Sequence, residues 1–108
     1  MIYIGVPDMN DSISNITIDG TEYKLRFTYN ETFDYWNFGI YNSKGFPLVS
    51  MIKIVPNFPL LFPYTNIDLP DGDFGCISDL TRVGRNDFVN NLADFVYIPR
   101  SDLEWITF

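Results

Sequence analysis

The sequence predicts an all-β fold, a small antiparallel β-barrel or sandwich built by a single domain over residues 1–108. Three observations predict it. Polar and apolar side chains alternate along several short segments, as they must when a pleated strand turns successive residues to opposite faces. Turn-forming residues interrupt these segments at close and regular spacing. Ten Phe and seven Tyr are residue types that favour strands over helices.

Ile2 to Val6 is apolar and β-prone, and Pro7-Asp8 stops it, so it reads as a first strand at an edge or on an arm. Asn10-Asp11-Ser12 is turn-like. From Ser12 to Ile18, Ile13, Asn15 and Thr17 alternate with Ser14, Ile16 and Ile18. Asp19-Gly20 is the strongest local signal. A type I′ hairpin needs positive φ at both central residues, and this dipeptide tolerates it. Ile16–Ile18 is therefore expected to pair with Thr21–Lys24.

The next strand alternates most cleanly, with Tyr23, Leu25, Phe27 and Tyr29 on one face and Glu22, Lys24, Arg26 and Thr28 on the other. A polar connection over 30–34 leads to Trp36, Phe38 and Ile40 sharing a face, with Tyr35, Asn37 and Gly39 opposite. Asn42-Ser43-Lys44-Gly45 is a turn. Phe46 to Val55 reads as a strand largely apolar on both faces, Leu48, Ile52 and Ile54 against Val49, Met51, Lys53 and Val55. Two coverings are implied, the core and something else, such as another subunit.

Further on, Leu69 to Asp73 reads as a turn and Phe74 to Leu80 as a strand. Thr81 to Asn86 reads as an exposed loop, Asp87 to Ala93 as a short helical turn, and Phe95 to Ile98 as the last strand, stopped by Pro99. Ser101-Asp102-Leu103-Glu104 has the form of a capping box at a short helix start.

Composition narrows the function. The chain has 108 residues, of which 46% are hydrophobic, enough to bury one core. The formal net charge is −7 and the seven basic residues are scattered, so a dense cationic stripe for nucleic acid or for an anionic membrane is not available. No stretch approaches the ~20 apolar residues of a membrane-spanning helix. Met1 to Ile4 lacks the cationic region and apolar length of a signal peptide. One cysteine excludes an internal disulfide and fits a reducing compartment. There is no histidine, which removes Ser-His-Asp and Cys-His catalysis and the commonest metal ligand.

The remaining candidates for chemistry are weak. Asp71-Gly72-Asp73, with Asp68 upstream, has oxygen ligands for a hard cation, but no acidic residue closes a calcium loop at the right spacing, and Asp and Gly are ordinary turn residues. Arg82 and Arg85 around Gly84 suit a phosphate, yet the strand-to-helix glycine context is missing. Cys76 has apolar neighbours and reads as a buried, inert thiol. No spacing marks a pair of carboxylates for glycoside hydrolysis. No catalytic residue, cofactor or metal is therefore expected.

The segment 56–64 is the oddest part of the chain. Its three prolines, Pro56, Pro59 and Pro63, exclude a helix or a central strand, while Phe58, Leu60, Leu61, Phe62 and Tyr64 make it strongly apolar. Such a loop must pack on its own domain or be offered to a partner. With Trp105 and Phe108 of the apolar tail, these residues form the candidate partner interface, since Tyr, Trp and Phe anchor protein interfaces. A sugar-stacking platform of Tyr35, Tyr41, Phe58, Phe62, Tyr64 and Trp105 is the alternative, which would make the chain a small carbohydrate-binding module. An acidic hydrolase is the third reading.

The series Ile18-Asp19-Gly20 through Tyr23, Leu25, Phe27 and Asn30, then Trp36, Pro47-Leu48, Val55-Pro56-Asn57, Leu60-Leu61 and Tyr64 resembles the small baseplate plug proteins of contractile-tailed phages. The resemblance covers about Ser12 to Asp73. It implies a non-enzymatic virion component, an all-β subunit near the tail axis between hub and tail tube, assembled in the host cytoplasm. The partners it implies are baseplate chains: hub, tail tube and tape measure, with several copies around the axis.

Overall fold

A computed structural model describes residues 1–61, 63–64 and 68–103. Two antiparallel sheets face each other as a sandwich rather than closing into a barrel. One has four strands, β2 (Asp11–Ile18), β3 (Thr21–Asn30), β4 (Tyr35–Asn42) and β5 (Pro47–Lys53), in sequence order. The other has three, β1 (Ile2–Ile4), β6 (Asp73–Ser78) and β7 (Ala93–Ile98), ordered β1-β7-β6, and a short helix, α1 (Arg100–Leu103), follows it.

The alternation in the sequence becomes the inside and outside of the larger sheet. Tyr23, Leu25 and Phe27 of β3 pair with Asn42, Ile40 and Phe38 of β4, and the apolar members are buried. Lys24 and Arg26 point away, with Arg26 making a two-pronged ion pair to Asp11 of β2 at 2.9 and 2.7 Å. Across the sandwich β7 brings Phe95 edge-on to Phe27, ring centroids 5.0 Å apart, and 5.2 Å from Phe38. Phe74 and Tyr97 extend the cluster at 5.2 Å. Edge-on packing sets positive ring edges against negative ring faces and adds to the burial of large apolar surfaces. β7 is central and buried on both sides, with Phe95 and Tyr97 in the cluster and Val96 and Ile98 opposite.

The turns follow the sequence closely. Asp19 and Gly20 both have positive φ, 51° and 80°, as a type I′ hairpin requires, and Ile18 pairs with Thr21. Gly45 at φ 88° closes the β4–β5 turn, where Asn42 Oδ1 accepts from the amides of Lys44 and Phe46.

Four expectations are corrected. The first strand lies at a sheet edge, as expected, but ends at Ile4 rather than Val6. β5 stops at Lys53, and register shifts opposite Phe38–Tyr41 break its two-faced pattern. Met51 sits there at φ 58° and turns outward, while Ile52 and Ile54 go inward. The loop over 81–86 is not all exposed: Val83 is buried, and the carbonyl of Gly84 accepts from the Trp36 indole at 3.0 Å. α1 begins at Arg100, one residue before the expected cap, and Glu104 lies outside the described residues.

Candidate partner-binding surfaces

The proline-rich segment is pinned along β6. Pro56 bridges Cys76 in parallel, the Asn57 amide donates to the Cys76 carbonyl at 2.7 Å, and the Leu60 amide to the Phe74 carbonyl at 2.9 Å. The Asn57 side chain clasps Ser78, donating to its carbonyl at 2.6 Å and accepting from its amide at 3.3 Å. Asn57 itself has φ 59°, a conformation that asparagine tolerates better than most residues.

The key to the segment is Asp73. Its Oδ1 accepts from the amides of Leu61 and Phe74, both at 2.7 Å, and the residue is buried. Burial raises its pKa above the usual carboxylate value, and the hydrogen bonds from the backbone amides partly oppose that rise. Asp71 pairs instead with Arg100 at 3.1 Å. The Asp-Gly-Asp stretch is thus structural, and no acidic or sulfur cluster suited to a metal occurs among the described residues.

The predicted interface residues separate into two groups. Leu60 and Leu61 are 4% and 5% exposed and belong to this chain's own core. Phe58 and Tyr64 are 53% and 42% exposed. Two buried leucines therefore fasten a segment that holds two aromatic side chains outward. Phe62, Trp105 and Phe108 lie outside the described residues. Tyr35 and Tyr41 belong to β4 of the four-stranded sheet, whereas Phe58 and Tyr64 stand on the segment along β6, so the described aromatics considered for sugar stacking lie on separate elements.

The arginines considered for phosphate are already engaged. Arg82 pairs with Asp34 at 2.8 Å, and Asp34 also accepts from the Tyr29 hydroxyl. Arg85 pairs with Asp8 at 2.7 Å and lies 5.5 Å from the Trp36 ring centroid. These contacts tie the 31–34 and 82–87 loops to the chain preceding β2. Cys76 is fully buried, and burial pushes its thiol pKa up to about 12, which leaves it unreactive.

Sequence reasoning missed Asp73 as the residue that shapes the segment. Nothing in Asp71-Gly72-Asp73 tells a turn acid from one that turns inward to hold a distant loop. The family model for the cyanophage baseplate Pam3 plug gp18 matches residues 1–100 of the chain. A search of curated proteins finds no match.

Proposed function

Because the chain belongs to the cyanophage baseplate plug family, and is thus a structural protein of the phage virion baseplate, we propose that it fills a position near the tail axis between hub and tail tube. In this reading it folds as one domain over 1–108, carries no catalysis, assembles in the host cytoplasm, and contacts the hub, the tube and the tape measure. The observation that carries the reading beyond the family is the pinning of the segment along β6 from Pro56 to Leu61. A loop already fixed along β6 loses little further freedom on docking, so more of its contact energy appears as affinity. Phe58 and Tyr64 are the residue types that anchor interface centres. The separation of Phe58 and Tyr64 from Tyr35 and Tyr41, which lie on β4, favours a protein partner over a sugar platform. Trp105 and Phe108 of the tail, with Phe62, complete the proposed contact set.

The test is Phe58→Ser combined with Tyr64→Ser. Both side chains are exposed, so the purified protein should keep its melting temperature within about 2–3 °C, the shift expected of a surface change of about 0.5 kcal/mol. Phage complemented with this variant should yield tails lacking the plug by electron microscopy. Normal infectious tails containing the variant would refute the contact role of this segment.

A further inference from the structure

The cations of this acidic chain are not evenly placed. Register sets Lys24 and Arg26 of β3 and Lys53 of β5 on the outer face of the four-stranded sheet, and Lys44 stands in the β4–β5 turn. Among the described residues, Asp11 and Glu22 lie among them on that face, and Asp19 stands in the β2–β3 turn at the same end as Lys44. The remaining three cations share the rest of the chain with eleven carboxylates. The face also has an apolar centre: Ile13 is 65% exposed, and a hollow of about 130 Å³ lies between it, Lys24, Arg26, Tyr41 and Gly45.

The complementary surface exists on the same molecule. At the β6–β7 end, Ile77 and Asp94 are outward-facing cross-strand partners, and the exposed Leu92 and Asp79 flank them. We propose that the outer face of the four-stranded sheet docks the acidic β6–β7 end of a second copy of this chain. Ile77 and Leu92 meet Ile13 and Tyr41, and Asp79 and Asp94 meet Lys24 and Lys53. Two basic faces cannot pair with each other, because like charges would be set against like. The two complementary patches lie on different sheets of one molecule, so the contact is head to tail, and each copy keeps one free patch until a ring closes.

Sedimentation velocity on the full chain tests this, first at about 50 mM salt and then at about 500 mM, where screening shortens the reach of charges to a few ångströms. Species larger than the monomer should grow with concentration at low salt and recede at high salt. Ile13→Glu with Lys24→Glu, or Lys53→Glu as a second basic-face variant, should be monomeric. So should Leu92→Lys with Asp94→Lys, or Asp79→Lys at the same end. Mixing one folded variant of each kind should give a 1:1 dimer and nothing larger, because each partner retains one working patch. A wild-type chain that stays monomeric at low salt overturns the proposal, as does an acidic-end variant that self-associates like wild type, or a mixture without the dimer. The Phe58→Ser, Tyr64→Ser variant should self-associate normally, which separates this contact from docking to other baseplate chains.

Discussion

Replacing Asp73 by alanine should loosen the proline-rich segment while leaving the aromatic core in place. The carboxylate oxygen serves two buried amides, those of Leu61 and Phe74, and both lose their acceptor. A buried donor left unsatisfied costs about 1–3 kcal/mol, so the pair should cost about 2–6 kcal/mol in urea denaturation. Against a domain stability of about 5–15 kcal/mol, that is a large loss. Hydrogen exchange at the Leu61 amide should accelerate more than at Leu25. Asp73→Asn keeps a side-chain oxygen as acceptor and should recover most of the loss. The pH dependence has a definite sign. The folded-state pKa of Asp73 is raised, so the native protein takes up the proton more readily than the unfolded chain. Wild type should therefore gain stability relative to the asparagine variant as pH falls from neutral through the raised pKa, and hold that gain below the ordinary carboxylate value. An alanine variant within about 0.5 kcal/mol of wild type would refute the clasp, since a change of that size is ordinary at an exposed site. A wild-type-to-asparagine difference that is flat with pH would refute the electrostatic part alone.

Gly20→Val should cost more than about 1 kcal/mol, because φ 80° resists a β-branched residue, whereas Gly20→Asn should be milder; thermal melts of the two give the comparison. Phe27→Ala removes a fully buried ring at the centre of the aromatic cluster and should cost about 3–5 kcal/mol, while Lys24→Ala should change denaturant stability by less than about 0.5 kcal/mol. The reverse ranking would mean that β3 presents its other face to the core. Cys76, with its thiol pushed up to about 12 by burial, should resist a disulfide reagent at pH 8 in the native protein and react at once in denaturant. Rapid labelling of the folded chain would show that the site opens.

The β2–β4 part of the fold was legible because its signals are local. Period-two alternation in 22–29 fixes which face is inside, and Asp19-Gly20 fixes the register of β2 against β3. β5 was only half legible. Its apolar residues suggested two buried faces, but the shifts opposite Phe38–Tyr41 depend on pairing with β4, which alternation along β5 does not encode. Val83 went unseen because four polar or small neighbours hide one valine, and only the fold sends it into the core. The candidate site was legible in position but not in direction. Three prolines and a cluster of large apolar residues marked 56–64, yet composition alone does not say that Leu60 and Leu61 turn inward and Phe58 turns outward. That division depends on Asp73 and β6, more than ten residues further along the chain.

The sheet topology also sets an order of assembly within the chain. Every strand of the β2–β5 sheet pairs with its neighbour in sequence, so that sheet can grow hairpin by hairpin. β6 and β7 are also neighbours in sequence and can pair as a hairpin, whereas β1 must find β7 across nearly the whole described chain. Non-local pairing defers its reward until a long loop has closed, so the β1–β7 pairing is expected to form last. Pulse-labelled refolding should show the amides of β3 and β4 protected before those of β1, and simultaneous protection would contradict the order. Because the proline-rich segment hangs on β6, Phe58 and Tyr64 acquire their setting with the β6–β7 hairpin and do not wait for β1. A chain that lacks only the β1–β7 pairing would then already carry both sheets' outward features, with one open edge along β7 where β1 belongs.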